Sequence, residues 1–177
     1  MFNFIKKEYA IVVIVIVIAA FIGLAVRFSQ PGIEIVYPEQ NTELAVQDFL
    51  IKTEQGEISI GVSSWEQITA LFPEGEMLGL STIYRPAAND CLFQFTEDEN
   101  ILNKMHIITE YFITNRGVKV GDPFSDVEKR YGLNYATVTS NDKPDYFEAI
   151  YGGENNIVFH IQNNNVIKII IQHNISI

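Results

Sequence analysis

Few side chains in this 177-residue chain are of types that could do chemistry: one cysteine, three histidines, serines beside a glycine, and carboxylates. Cys91 with His106 or His160 has the makings of a nucleophile and its base. Cys91 also opens the alternation Cys91, Phe93, Phe95, which reads better as the buried face of a strand, with the thiol as a small hydrophobe. Ser63 in Gly61-Val62-Ser63-Ser64-Trp65 has part of the order of a nucleophile elbow. Trp65 stands where the second glycine belongs, and helix capping accounts for the serines. Glu97, Asp98 and Glu99 could attract calcium, but their spacing does not fit a calcium loop and a solvated hairpin tip is expected. Asp122 and Asp126 would be the acid–base candidates of a hydrolase, though Asp122 is more simply a helix cap. The histidines form no ligand set, so no metal and no cofactor is expected. Trp65, Tyr84, Tyr111 and Tyr151 supply the aromatic bulk that interfaces use as anchors, and are the candidate partner-binding residues.

These residues must be positioned by helices and strands that the pattern makes visible. Ser64-Trp65-Glu66-Gln67 is a capping box, and Trp65, Ile68, Leu71 and Phe72 then share one helical face until Pro73 and Gly75 stop it. Asp122-Pro123 opens a second helix with Phe124, Val127 and Tyr131 as its apolar face and Gly132 at its end. Strands are expected over Thr42–Thr53, Ile58–Ile60, Leu78–Tyr84, Cys91–Phe95 and Ile101–Phe112. A later set covers Tyr146–Tyr151, Ile157–Gln162 and Val166–Gln172. Parity registers the last three. Ala149 falls opposite Phe159, and Phe147 opposite Ile161. A turn over Asn163-Asn164-Asn165 sets Ile161 opposite Ile167 and Phe159 opposite Ile169, with His160 opposite Lys168.

Val118-Lys119-Val120-Gly121 matches Ile58-Ser59-Ile60-Gly61 at an offset of sixty residues. The expected fold is therefore α+β: an N-terminal transmembrane helix, then two tandem units, each one helix on an antiparallel β-meander. The expected boundaries are 1–28 for the cytoplasmic tip and anchor, 29–41 for a stem, 42–112 for the first unit and 113–177 for the second.

The anchor is Ala10–Val26, seventeen residues without a charge. As a helix it would span about 26 Å, near the lower end of a hydrocarbon core. Lys6 and Lys7 precede it and only Arg27 follows closely, which predicts the N-terminus in the cytoplasm and the rest outside, a single pass in the cell membrane. A cleaved signal peptide, cut after Ala25, is the alternative, with secretion as its consequence. From residue 28 onward nine basic residues stand against twenty-one acidic ones, a net −12. That charge argues against nucleic acid and against anionic lipid surfaces, and suits a protein partner outside the cytoplasm. A single cysteine permits no internal disulfide.

The stretch Arg116–Gly132 (RGVKVGDPFSDVEKRYG), with a weaker echo at Ile58–Phe72, resembles the strand–Gly–Asp–helix–Gly opening of small extracytoplasmic domains in bacterial lipoproteins. It is similar too to the tandem helix-plus-sheet units of β-lactamase inhibitory proteins and outer-membrane assembly lipoproteins. The resemblance implies protein binding or scaffolding rather than catalysis. The chain lacks both a lipid-attachment cysteine after its apolar segment and the inhibitors' cysteine pairs, so an inhibitory activity does not carry over. A membrane-tethered extracytoplasmic binding or scaffolding module is the reading that follows. An envelope hydrolase using acidic residues is its rival.

Overall fold

Alternating apolar residues build most of this structure. The computed structural model describes residues 32–79, 82–87, 90–98 and 100–173. The strands are β1 (Ile33–Val36), β2 (Leu50–Lys52), β3 (Glu57–Ser59), β4 (Gly75–Met77), β5 (Ile83–Pro86) and β6 (Cys91–Phe95). They continue with β7 (Leu102–Ile107), β8 (Ile113–Thr114), β9 (Ala136–Ser140), β10 (Tyr146–Gly152), β11 (Asn156–Gln162) and β12 (Asn165–Gln172). Two helices, α1 (Trp65–Leu71) and α2 (Phe124–Tyr131), interrupt them, and a 3-10 turn covers Val46–Phe49. Nine strands form one sheet in the order β1-β9-β10-β11-β12-β7-β6-β5-β4, and β3-β2-β8 form a second, small one. All of these pairings are antiparallel.

Two tandem units behind a transmembrane helix are thus not what the chain forms. The fold is mainly antiparallel sheet. β7 pairs with β12, setting Ile107 beside Ile169 and Met105 beside Ile171, so the two meanders fuse into one sheet. A single hydrophobic cluster runs from Phe49 and Ile68 through Phe93 and Met105 to Val127 and Phe159. From Ile33 on, the chain is one compact unit. The expected anchor Ala10–Val26 lies outside the described residues. No helix among those described is long and apolar enough to cross a membrane. The transmembrane, single-pass and cytoplasmic-N-terminus expectations are withdrawn on that finding.

The offset-sixty match keeps a narrower, local meaning. Gly61 N–H donates to the Leu102 carbonyl of β7 at 2.7 Å, and Gly121 N–H donates to the Val166 carbonyl of β12 at 2.8 Å. Both glycines hold positive φ, +90° and +95°, which disfavours any side chain there. A Cβ at Gly61 would also come 2.8 Å from the His173 ring.

Helix α1 opens as the capping box requires. Ser64 Oγ accepts from Gln67 N–H, and Gln67 Oε1 accepts from Ser64 N–H at 2.9 Å. Ile68 and Phe72 are buried, with Phe72 stacked near Phe93 and Phe112. Helix α2 buries Phe124, Val127 and Tyr131, and Tyr131 meets Tyr151 and Phe159 ring to ring. Its N-cap position is Pro123 with no side-chain cap. Asp122 instead accepts from Lys119 N–H at 2.9 Å and closes the turn before the helix, so the expected cap is corrected.

Several strand expectations shift. The stem contains β1, which pairs with β9 as the sheet's edge. The Thr42–Thr53 stretch is a 3-10 turn before it becomes β2, and β9 lies where no strand was expected. Ala149 faces Phe159 and Phe147 faces Ile161, as parity requires. The β11–β12 turn is tighter than three asparagines. Asn163 and Asn164 alone make it, at φ +50° and +62°, left-handed values that asparagine tolerates. A bulge beside His160 restores parity by the next pair. Ile161 therefore faces Val166, Phe159 faces Ile169, and Ile167 is turned out, 39% exposed.

Candidate functional site

The core uses one face of the large sheet, through Phe93, Met105, Ile169, Ile171, Phe159 and Ala149. Strict alternation sends their neighbours to the opposite face. There one row of residues crosses five strands: Leu92 beside His106, His106 beside Ile170, Ile170 beside Val158, Val158 beside Ile150. All are half-buried. The next row along is polar, with Lys168 beside His160 and His160 beside Glu148.

That polar row closes into a hydrogen-bonded cluster. Tyr146 Oη lies 2.8 Å from Glu148 Oε1 and 2.5 Å from His160 Nδ1. A tyrosine has one proton to give. With Glu148 as carboxylate, the hydroxyl donates to Glu148 and accepts from His160 Nδ1–H. The tautomer leaves His160 Nε2 as a bare lone pair, and that atom is buried without a partner. Burial first, and then the charge of Lys168, push His160 below its ordinary value, while Glu148 works the other way. The imidazole is thus held neutral, and its 3.4 Å approach to Glu148 is a polar contact rather than an ion pair. Burial and then Glu148 drive the Tyr146 hydroxyl well above its usual range. Tyr146 is therefore no phenolate at neutral pH. The cluster can pass or hold a proton, but its free nitrogen is sealed off.

Beside it, a cleft of about 290 Å³ opens among Arg85, Asp90, Leu92, His106, Ile108 and Lys168. Its His106 is pushed down to about 4, by burial first, then by Lys168, Lys104 and His160. The Arg85 guanidinium is engaged by Glu76.

No protein-family model, no curated protein and no solved structure matches this chain. Its chemistry has to be taken from the geometry.

The four aromatics expected at an interface lie on the core side of the fold. Tyr84 and Tyr151 are buried, their hydroxyls donating to the carbonyls of Phe72 at 2.6 Å and Gly132 at 2.9 Å. Trp65 meets Tyr84 and Phe95 edge-on, each at 5.2 Å, and Tyr111 meets Phe112 at 5.1 Å. These rings hold the core together; none belongs to the row on the open face. Ser63 Oγ accepts from Ser59 N–H at 2.9 Å, so it is spent on the turn. Cys91 is buried, its thiol pushed up to about 12 by burial and by Asp90. His106 and His160 share the open face, whereas His173 lies edge-on to Phe49. Among the described residues, no three His, Cys, Asp or Glu side chains gather as metal ligands would. Asp126 sits in the first turn of α2.

Sequence reasoning missed the Tyr146–Glu148–His160 cluster, although half of its signal was present. A register that sets Ala149 opposite Phe159 also sets Glu148 opposite His160. A second omission is the ion pair of Asp48 with Arg116. Arg116 donates Nε–H and Nη2–H to the two oxygens of Asp48, both at 2.6 Å, and caps the Tyr131 ring at 4.7 Å.

Proposed function

We propose that this chain is a protein-binding module that docks its partner on the open face of the nine-stranded sheet. The observation that carries the reading is the row Leu92–His106–Ile170–Val158–Ile150, four aliphatic side chains around one neutral histidine. The core on the other face is complete without them, and burying such a row against a partner contributes about 25 cal/mol per Å² of apolar area. Of the polar groups flanking the row, Tyr146, Glu148 and His160 are hydrogen-bonded to one another, so docking does not strand the Tyr146 hydroxyl. The resemblance of Arg116–Gly132 to protein-binding domains supports the same reading.

Cysteine- or serine-based hydrolysis is disfavoured by the state of its candidates. The Cys91 thiol is held protonated by burial, Ser63 Oγ already serves a backbone N–H, and His160 Nε2 has no open space beside it. A general base must reach the proton that it takes.

Site-specific photo-crosslinking in the source cells tests the proposal. A photoreactive residue at Val158 is expected to capture one discrete protein, and one at Leu133, 73% exposed and outside the row, to capture none. Equal labelling from both positions, or none from Val158, would overturn it.

A further inference from the structure

Acidic side chains outnumber basic ones in this chain, 22 to 12. A lysine should therefore find a carboxylate easily. Yet among the described residues Lys119 is the one lysine with a carboxylate within 4 Å, and Lys104 and Lys168, both on the open face, have none. They flank His106 on two sides: Lys104 lies two residues before it on β7, and Lys168 lies across β12, diagonal to it. Both charges act on His106 with the same sign. Lys168 stands four residues along β12 from Gln172, the partner of Lys104, so the two charges are set apart, and an anion in the neighbouring cleft would meet Lys168 and supply its missing counter-ion.

The cleft joins that charge to an apolar wall. Leu92 and Ile108 line it; Arg85, already engaged by Glu76, and Asp90 stand at its rim, and Lys168 is the lining cation with no carboxylate within 4 Å. At about 290 Å³ it is smaller than most drug-sized pockets. It suits one anchoring side chain or a chain end.

We propose that this cleft is the anchor pocket of the docking face, and that it takes from the partner a carboxylate carried on an apolar stem. The inference rests on the reading of the open face as a docking surface. The apolar stem covers Leu92 and Ile108, and the carboxylate meets Lys168 beside His106. A cationic or purely aliphatic anchor is discriminated against, because it would leave the lysine charge buried under the partner without an anion.

The test uses the full chain and three probes of equal length: hexanoate, hexanol and hexylamine. Methyl resonances of Leu92 and Ile108 report occupancy. Hexanoate is expected to saturate these two methyls, with hexylamine leaving them unmoved. Lys168→Gln is expected to weaken hexanoate by about fivefold, the scale of one partly exposed ion pair, and to leave hexanol unchanged. Lys168 is half-exposed, so the variant keeps the fold. Hexanol binding as tightly as hexanoate, or an equal loss of both in Lys168→Gln, would overturn the proposal. The two readings fail separately. Partner capture at Val158 without hexanoate binding removes the anchor pocket alone. Hexanoate binding without capture at Val158 removes the docking face and keeps the anion site.

Discussion

Asp48→Ala removes the acid of the most buried ion pair in the described chain. The Asp48 side chain is 4% exposed and that of Arg116 28%. Asp48 does three jobs: its two oxygens accept from Arg116, and one of them also accepts from Ala45 N–H at 2.8 Å. It thereby ties the 3-10 turn before β2 to the Asn115–Gly117 turn, and Arg116 carries the tie on to the Arg130 carbonyl of α2. The Asp48 hydrogen bond is also what most holds the Arg116 guanidinium above its ordinary range. Breaking a fully buried pair by removing one partner costs about 3–5 kcal/mol. Arg116 keeps some water, the Arg130 carbonyl and the Tyr131 ring, so a cost of about 2–4 kcal/mol is expected here. For a domain of this size that lowers the melting temperature by roughly 5–15 °C. Urea denaturation of Asp48→Ala, Arg116→Ala and the double variant measures it. Arg116→Ala should cost at least as much, because it strands the more buried carboxylate. The double variant should cost less than the sum of the two. Single variants within about 0.5 kcal/mol of wild type, the behaviour of exposed pairs such as Lys119–Glu110, would refute the reasoning.

Two further outcomes follow from the core and from the open face. Val127→Asp puts an unpaired charge at a fully buried position of α2, at an effective cost of several kcal/mol, comparable with the whole stability of the domain. It should fail to accumulate in soluble form, and a folded, cooperative Val127→Asp would contradict the burial. His106 has a folded value of about 4 against 6.5 when unfolded, so the unfolded chain binds the proton first. Its share of stability is whole above about 6.5 and is lost as pH falls to about 4. His106→Gln should therefore lose less stability than wild type between pH 7 and 5, measured as urea midpoints, and equal losses would refute the assignment.

What the sequence made legible was local. Residue parity in β11 is strong because Ile157, Phe159 and Ile161 alternate with Val158, His160 and Gln162, and the pairing with Ala149 and Tyr151 of β10 follows from it. The α1 capping box is equally local. The fusion of two meanders was not legible. Ile107 pairs through β7 with Ile169, sixty-two residues on, and no neighbouring residue signals that contact. β9 was missed because Ala136–Ser140 (ATVTS) offers little contrast between its two faces, and β1 because a four-residue edge strand looks like a stem. The bulge was missed because three asparagines fit either a three-residue loop or a tight turn with left-handed residues. At the open face, Glu148 and His160 could be paired on paper. The Tyr146 hydroxyl that joins them depends on side-chain reach, which spacing does not encode.

The position of the proposed docking row has a physical basis in how the core is tied. β7 and β12 are the middle of the sheet, and each is also gripped from the core side, by Gly61 on Leu102 and by Gly121 on Val166. Both neighbours of each strand are hydrogen-bonded strands, so their backbones have little freedom left to lose. The exposed edges β1 and β4 lie four and three strands away from this pair. A partner that meets His106, Lys168 and Ile170 therefore meets side chains on strands held on both sides. Ordering costs on association fall mainly on side chains and loops, so a row on these strands binds with less of that cost than one on an edge. If binding were instead an edge-strand event at β1, Val158 would label nothing while substitutions at Ile33 and Ile35 abolished capture. That pattern would move the interface to the other end of the sheet.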